Sequence, residues 1–295
     1  MFGKTRGWNI GFFNTNEAPL MRPSLVSPAR FQTNTFSLAR ASALATALIC
    51  SVPAFAEEPA GDGHSETSWS LGVGVISEQK PYTGIDREYM PLPLIQFENK
   101  YVHIFGPQIG LKLPGLDISD SQRLDFSIVG KYDGSGYKAK DAPILDGMSK
   151  RKSGFWAGAE AEWKNDVVDV KATWLADVSG NSKGQTFSLG LERSWHFGGS
   201  MMLTPRVEAT WYDKKYVDYY FGVRDSEARA GRSAYTGKAG TAIEVGVRGV
   251  YLFDQRHSMF LDVGISSLPK GIKDSPLVDR STENRVMLGY MYRFR

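Results

Sequence analysis

The sequence has a single cysteine, no long hydrophobic run and no large excess of one charge. Cys50 lies near the N-terminus, so the chain beyond it has no disulfide and no thiolate metal site. No apolar stretch reaches the ~18 to 20 residues that a transmembrane helix needs. The 35 Lys and Arg side chains are interspersed with 32 Asp and Glu side chains, so no clustered basic surface predicts a nucleic-acid partner. These absences exclude a disulfide-stabilised domain, a helical membrane protein and a nucleic-acid-binding protein.

The first 56 residues have the pattern of a cleaved secretory signal. Arg40 precedes an apolar run that ends in the cleavage signature Ala54-x-Ala56. The run is short for a membrane anchor and contains a proline. We therefore expect the mature protein to begin at Glu57. Removal of residues 1–56 takes away five of the 35 basic and one of the 32 acidic side chains, which leaves 30 and 31 and a net charge of −1.

The rest of the chain alternates between apolar and polar side chains in segments of about ten residues. The clearest segment is the last, in which one face carries Arg285, Gly289 and Arg293 and the other carries Val286, Leu288, Tyr290, Tyr292 and Phe294. Such segments predict β-strands with one apolar face. A terminal strand rich in aromatic residues is typical of an outer-membrane barrel. We expect Tyr290, Tyr292 and Phe294 to be its signal for the barrel-assembly machinery.

The faces of these segments distinguish a transmembrane barrel from a soluble β-sandwich, which could also point its charges into water. Aromatic residues at the strand ends, where a bilayer's interfaces would lie, favour the barrel: Trp69, Trp163, Trp174, Trp211, Tyr251, Tyr292 and Phe294. The lumen would then contain the charged residues of the opposite faces: Arg123, Asp125, Lys131, Glu160, Glu162, Asp169, Lys171, Glu192, Arg206, Glu208, Glu244, Arg248, Asp262, Arg285 and Arg293. Because these charges nearly cancel, we expect them to pair and to occlude the lumen.

Connection lengths predict the topology of this all-β, antiparallel up-and-down barrel. Short turns face the periplasm in such barrels, and long loops face the exterior. The short turns are near residues 98–100, 164–166, 197–200 and 253–256, and the long loops are 78–88, 133–151, 178–184, 213–240 and 267–283. The loop 213–240 is rich in aromatic residues and is expected to fold over the mouth of the barrel.

Strand counting leaves one crossing to be found. Eleven strands are evident, whereas two periplasmic termini require an even number. We expect residues 101–113 to split at Phe105-Gly106-Pro107 into two short strands, which gives about twelve strands, with ten as the alternative. Pro91 and Pro93 predict an edge-like or irregular second strand, because proline cannot donate to a ladder. The predicted plan is an N-terminal extension with signal peptide over 1–56, a flexible periplasmic tail over 57–67 and an outer-membrane barrel over 68–295.

Several blocks of residues resemble those of one outer-membrane family. They are Pro91-Leu92-Pro93-Leu94-Ile95, Leu145-Asp146-Gly147-Met148, Tyr219-Tyr220-Phe221-Gly222-Val223 with Ser226-Glu227-Ala228, Asp274-Ser275-Pro276-Leu277-Val278, and Gly289-Tyr290-Met291-Tyr292-Arg293-Phe294. On these blocks, residues 68–295 resemble the MipA/OmpV family. The Tyr-Tyr-Phe-Gly-Val and Asp-Ser-Pro-Leu-Val blocks are the most specific.

The resemblance implies a non-catalytic role in the cell outer membrane, without a cofactor. The MipA branch is described as a scaffold that links an MltA-type lytic transglycosylase to a penicillin-binding murein synthase. A small or gated channel and a surface adhesin are the alternatives. The residues themselves predict no catalytic or metal site: the four histidines lack metal-ligand spacing. Glu160 and Glu162 are better explained as lumenal carboxylates than as an acid–base pair.

Overall fold

Residues 67–294, which a computed structural model describes, form a closed antiparallel β-barrel. The strands are β1 (Ser68–Gln79), β2 (Glu88–Glu98), β3 (Val102–Phe105), β4 (Gln108–Ser119), β5 (Gln122–Asp133), β6 (Gly154–Lys164), β7 (Asp169–Asp177), β8 (Gln185–Glu192), β9 (Trp195–Phe197), β10 (Met201–Tyr212), β11 (Gly240–Leu252), β12 (His257–Ser267) and β13 (Thr282–Arg293). Strands that follow one another in the chain pair along the wall, and β13 pairs with β1. This last pairing closes the sheet and confirms the predicted up-and-down barrel.

The described wall has twelve strand positions, which confirms the preferred count over the alternative of ten. β8 and β9 both pair with β10, so the break at Arg193 and Ser194 interrupts a single crossing. The expected split of residues 101–113 occurs at Gly106 and Pro107, between β3 and β4.

The split produces one short strand and one long strand. β3 has 4 residues, whereas β4 has 12. The expectation of two short strands is therefore wrong for β4, which pairs with β5 as far as Ser119. Register shifts follow Leu113 and Asp117. The first of these accommodates Pro114, which has no N–H for a regular ladder.

The short β3 leaves the upper part of β2 with a free edge. β3 pairs with only the last three residues of β2, and the Gly106 N–H donates to the Ile95 carbonyl at 3.0 Å. Among the described residues, 88–94 pair with β1 alone, and we call them the free β2 edge. Backbone groups alternate sides along a strand, so Pro91 and Pro93 face the same side as Ile95. They present no N–H there, which confirms the predicted edge-like second strand.

The exterior of the wall is apolar. Outward side chains are exposed along the strands, among them Leu71, Val73, Val75, Ile109, Leu111, Ile128, Phe187, Leu189, Ile243, Val245, Leu261, Val263, Ile265 and Leu288. Six of the seven predicted interfacial aromatic residues are exposed as well, and Tyr292 is half-buried. A continuous apolar exterior of this extent is suited to lipid and not to water.

The connections at the two ends of the barrel differ in length. Those at the long-loop end, which faces the exterior, are 80–87, 134–153, 178–184, 213–239 and 268–281, together with the two-residue turn 106–107 between β3 and β4. Those at the short-turn end, which faces the periplasm, are 99–101, 120–121, 165–168, 198–200 and 253–256. The described helices are α1 (Lys214–Phe221), α2 (Lys270–Lys273) and single 3₁₀ turns at Ala139–Asp141, Pro143–Leu145 and Asp225–Glu227. None of these helices is long and apolar enough to cross a membrane.

The N-terminal predictions fall outside this part of the chain. The signal segment 1–56, its cleavage residues Ala54, Ala56 and Glu57, and the tail as far as residue 66 lie outside the described residues.

An aromatic pair seals the seam between the first and last strands. The Phe294 N–H donates to the Trp69 carbonyl at 3.0 Å, and the two rings stack with centroids 4.1 Å apart. Tyr292 packs edge-on against Phe294 with centroids 4.8 Å apart. Two of the three terminal aromatic residues therefore lie at the point of closure.

We expect Phe294→Ala to weaken closure of the barrel. Loss of the stacked ring should cost about 1 to 3 kcal/mol, because both its buried area and its ring contact disappear. The temperature at which the folded form is lost on SDS gels should fall, and so should the fraction assembled in cells. Phe197→Ala is the matched control, because Phe197 is 53% exposed in β9, which pairs with β10 and with neither strand of the seam. Equal effects of the two substitutions would contradict a special role for the seam.

Candidate functional site

Four of the five long connections fold together over the mouth of the barrel. They are 80–87, 134–153, 213–239 and 268–281, and we call them the loop cap. Apolar side chains from all four are buried in one cluster with Val129, Trp156 and Leu175 of the wall. This confirms the expectation that the aromatic loop folds over the mouth.

Helix α1 supplies most of the aromatic surface of the loop cap. Asp213 caps its start, where Oδ1 accepts from the Tyr216 N–H at 2.7 Å. The helix ends at Gly222, whose N–H donates to the Asp218 carbonyl at 3.0 Å. Tyr216, Val217, Tyr220 and Phe221 are buried on one side of the helix. That side rests on the wall, where the rings of Tyr216 and Trp156 lie 5.6 Å apart.

The two most specific sequence blocks meet within the loop cap. The Ser275 hydroxyl donates to the Phe221 carbonyl at 2.6 Å, which joins the Asp-Ser-Pro-Leu-Val block to the Tyr-Tyr-Phe-Gly-Val block. Tyr82 of the first loop stacks on Phe221 at 5.3 Å, and its hydroxyl donates to the Tyr220 carbonyl at 3.2 Å. Burial raises the pKa of Tyr82 and keeps the phenol protonated. The Thr83 N–H completes the junction with a 2.9 Å bond to the Leu277 carbonyl.

A buried ion pair crosslinks the second and fourth long connections. Arg151 and Glu227 form two parallel hydrogen bonds of 2.8 and 3.0 Å, and their side chains are only 2% and 3% exposed. The Ser149 and Arg224 N–H groups also donate to the Glu227 carboxylate, at 2.9 and 3.1 Å. Burial alone would raise the pKa of Glu227, but the Arg151 bond and the two backbone donors outweigh it and lower the pKa to about 2.

Arg232 ties the same two connections through backbone carbonyls. Its side chain is buried, and it donates to the Glu227 carbonyl and, at 2.8 Å, to the Asp146 carbonyl. The sequence did not reveal Arg151, Glu227 or Arg232 as site residues, because no local spacing links residues about 80 positions apart. These three side chains join the second and fourth long connections inside the loop cap.

The predicted lumen charges form one principal network on β10, β11, β12 and β13. Arg206 bonds Asp262 at 2.8 Å and Glu244 at 3.1 Å. Arg248 bonds Asp262 at 3.0 Å, and Arg285 bonds Glu244 at 3.4 Å. Asp262 is fully buried. Five of the predicted lumen residues are therefore brought together as paired charges.

The other predicted lumen charges lie on β5, β6, β7 and β8, except Glu208 on β10 and Arg293 on β13. Lys171 lies between Glu160 at 3.7 Å and Glu162 at 3.9 Å. Lys131 lines a cavity of about 20 Å³, which has room for about one water molecule. Two of them, Arg123 and Asp125, pair at 2.7 Å near the short-turn end, where Arg123 is half exposed. Asp169 accepts a hydrogen bond from the Asn165 N–H, and Glu208 accepts one from the Thr210 hydroxyl. Glu192 is buried, and Arg293 is half-buried at the end of β13.

An apolar cluster fills another part of the lumen, and sequence reasoning missed it. Its buried members are Ile76, Leu94, Val250, Phe260, Met287 and Met291. Gly289 makes room for it, since a Cβ there would lie 2.4 Å from the Phe260 ring. The available signal was a break in alternation, because Val286-Met287-Leu288 places an apolar residue on the face predicted to be polar. The lumen is thus occluded by paired charges and by apolar side chains.

The described residues contain no group of His, Cys, Asp and Glu side chains that could hold a metal ion. Glu160 and Glu162 lie 3.7 and 3.9 Å from Lys171, and Glu162 also lies 3.9 Å from Lys164.

Glu227→Gln should open the loop cap. The substitution leaves the Arg151 guanidinium buried without a counter-charge, which typically costs about 3 to 5 kcal/mol. Opening can be measured as the rate at which a pyridyl disulfide labels Leu145→Cys, in a background with Cys50 replaced, because Leu145 is fully buried in the loop cap. Asp146→Asn is the matched control: its Arg229 partner lies at 3.1 Å in an exposed pair, which contributes about 1 kcal/mol at most. Labelling that is equally slow in both variants would refute the role of the buried pair.

The same pair predicts a pH dependence. The folded-state pKa of Glu227, about 2, lies below its ordinary value of 4.5, so the carboxylate stabilises the loop cap fully above pH 4.5. That stabilisation declines as the pH falls from 4.5 towards 2. The difference in labelling rate between the wild-type chain and Glu227→Gln should therefore shrink over this window. A difference that stays constant down to pH 2 would show that the charge of Glu227 is not responsible.

The chain is similar in sequence to several known bacterial proteins. The chain is 27% identical to the putative outer membrane protein YiaT of Escherichia coli K12, over 76% of this chain and 90% of that protein. It is 27% identical to the MltA-interacting protein of the same strain, over 80% and 94% of the two chains. It is 28% identical to the outer membrane protein OmpV of Vibrio cholerae, over 78% and 88%.

Among solved structures, an outer membrane channel from Pseudomonas putida F1 matches 79% of this chain and 97% of its own, at 13% identity and a TM-score of 0.39. This value is too low to carry an argument. The closed barrel and the relatives that are named outer membrane proteins place this chain in the outer membrane. The family model described as "MltA-interacting protein MipA" matches residues 71–294. The chain therefore belongs to the MipA family of outer-membrane proteins.

Proposed function

We propose that this protein is a non-catalytic outer-membrane scaffold of the peptidoglycan machinery, which links an MltA-type lytic transglycosylase to a penicillin-binding murein synthase. The observation that carries the proposal is the occluded barrel. Paired charges and the apolar cluster around Met287 fill the lumen, and the loop cap covers its mouth. A barrel filled in this way anchors a protein in the membrane without providing an open path for solutes.

Two further points support the scaffold. One relative, of which this chain covers 94%, is named MltA-interacting protein. Topology also restricts where such partners bind: murein enzymes act in the periplasm, so they would meet the short-turn end and the segment 57–67. The short-turn end presents aromatic side chains, including Tyr101 at 65% and Phe253 at 55% exposure. Exposed aromatic residues are frequent anchors of protein interfaces.

We expect the protein, purified from cross-linked cell envelopes, to enrich a lytic transglycosylase and a penicillin-binding synthase relative to an unrelated barrel of similar size. Deletion of 57–67 should reduce this capture while the barrel stays folded by its heat-dependent migration, because a polar tail can order on a partner without supporting the wall. Replacement of 213–239 is the control, since that segment lies at the opposite end of the barrel. Capture that depends on 213–239 instead would overturn the scaffold in favour of an adhesin.

A second candidate function, a gated channel, is favoured by the free β2 edge. The Gly106-Pro107 turn borders that gap, and Gln108, which follows the turn, lines the small cavity beside Lys131. Movement of this region could open a path into the lumen. Planar-bilayer recordings decide between the two candidates: a scaffold should give no steady conductance, whereas unitary steps that change with Lys131→Met would favour the channel.

A further inference from the structure

One side of the long-loop end carries six exposed lysines. They follow β7, β10 and β12 or precede β11, and we call them the lysine arc: Lys183, Lys214, Lys215, Lys238, Lys270 and Lys273. We propose that the lysine arc binds the phosphate groups of the outer-leaflet lipids that surround the barrel. The partner is a phosphorylated membrane lipid, held at its headgroup.

Charge is distributed unequally between the two ends of the barrel. The five long connections carry seventeen Lys and Arg side chains against nine Asp and Glu, whereas the five short turns carry two against three. The long-loop end therefore has a net charge of +8 and the short turns −1. The positive electrostatic potential at the long-loop end attracts an anionic partner to that end.

Folding does not account for the lysine arc. Other basic residues of the loop cap hold its structure together: Arg151 and Arg232 are buried, Lys80 pairs with Glu88 at 2.9 Å, and Arg229 pairs with an exposed carboxylate. The arc lysines are all exposed, and none has an ion-pair partner within residues 67–294. Their charge is available to a ligand.

The first part of the lysine arc is held together at the start of α1. Lys183 precedes Gly184, which packs directly on the helix: a Cβ at Gly184 would lie 2.8 Å from the Tyr216 nitrogen. Lys214 and Lys215 form the first turn of that helix. These three lysines therefore occupy one sector of the rim.

The second part adjoins the first through the segment before β11. Gly271 of α2 touches the backbone of Lys238, because a Cβ at Gly271 would lie 2.2 Å from the Lys238 carbonyl oxygen. Lys270 and Lys273 belong to the same short helix. The neighbouring Gly237 N–H donates to Asp218 of α1 at 2.8 Å, which joins the two parts. The six lysines thus span adjacent sectors of the barrel.

Carboxylates within this sector do not neutralise it. The acidic side chains of this sector are Asp177, Asp213, Asp218 and Asp274, against the six lysines. Asp213 accepts from the Tyr216 N–H, Asp218 from the Gly237 N–H and Asp177 from the Lys183 N–H, so three of the four are already committed to the backbone. The sector keeps a net charge of +2.

The position of the lysine arc selects a lipid as the source of phosphate. Directly below it, the upper ends of β8, β10, β11 and β12 expose Phe187, Trp211, Ile243 and Ile265 by 42% to 51%. These side chains face the acyl chains, so the headgroups lie at the height of the lysines. A lysine can lay its alkyl stem on the apolar rim and place its ammonium at the headgroup.

The test uses the whole protein, purified in detergent from outer membranes. Native mass spectrometry counts the bound molecules of lipid A with both phosphates, and of lipid A from which both phosphates have been removed. The combined variant Lys238→Gln, Lys270→Gln and Lys273→Gln should retain the phosphorylated lipid about tenfold less well or worse, because each lysine contributes to attraction of an anionic headgroup. The dephosphorylated lipid should bind weakly and equally to all proteins.

Lys140→Gln, Lys150→Gln and Lys152→Gln together make the matched control, since they remove the same charge from exposed lysines of the second long loop. The control variant should retain at least about half as much phosphorylated lipid as the wild-type chain, if binding depends on the position of the lysines and not on total charge alone. Equal losses in both variants, or retention that does not depend on phosphate, would overturn the proposal. Displacement of the lipid by millimolar inorganic phosphate would overturn the lipid as the source. Heat-dependent migration confirms that every variant is folded.

Discussion

Backbone hydrogen bonding in hydrocarbon is the constraint on which this structure depends. A peptide group that faces lipid has no water to bond, so it must find its partner in the protein. The pairing of β13 with β1 meets that requirement by removing the two outer edges of the sheet. The alternation of apolar and polar residues follows from the same constraint, because a wall between lipid and lumen needs a different surface on each side.

Closure creates an interior that must itself be filled. On β10 to β13 the solution is electrostatic: Asp262, fully buried, is held by Arg206 and Arg248. The apolar cluster on β1, β2, β11, β12 and β13 fills the rest, with methionine side chains that adapt to irregular space. The loop cap continues this filling upward, and the buried Arg151–Glu227 pair fixes it across the mouth. Wall, lumen and loop cap are therefore layers of one packed body, which suits an anchor better than an open pore.

The sequence predicted the wall well because strand alternation is a local property. The outward set Val286, Leu288, Tyr290 and Tyr292 could be read directly, and so could the turn at Gly106 and Pro107. The loop cap could not be predicted in the same way, since the Arg151–Glu227 contact spans 76 residues and has no periodic signature. The apolar lumen was missed for another reason. An alternation of period two with an apolar exterior predicts a polar interior, and Met287 departs from that prediction without interrupting the strand.

The free β2 edge is the place where the described wall departs from full pairing. The carbonyl groups of Tyr89, Pro91 and Pro93 face the gap, and no described backbone N–H donates to them. A backbone carbonyl without a hydrogen-bond donor raises the free energy of the folded protein when it faces the hydrocarbon core of a bilayer. These carbonyls run from the end of β2 at the first long loop to Pro93, which is the middle residue of this eleven-residue strand. The prolines remove the donors that would otherwise recruit a foreign strand. The gap therefore reaches from the outer interface to the middle of the wall, and its cost is reduced because Pro91 and Pro93 have no N–H to leave unpaired.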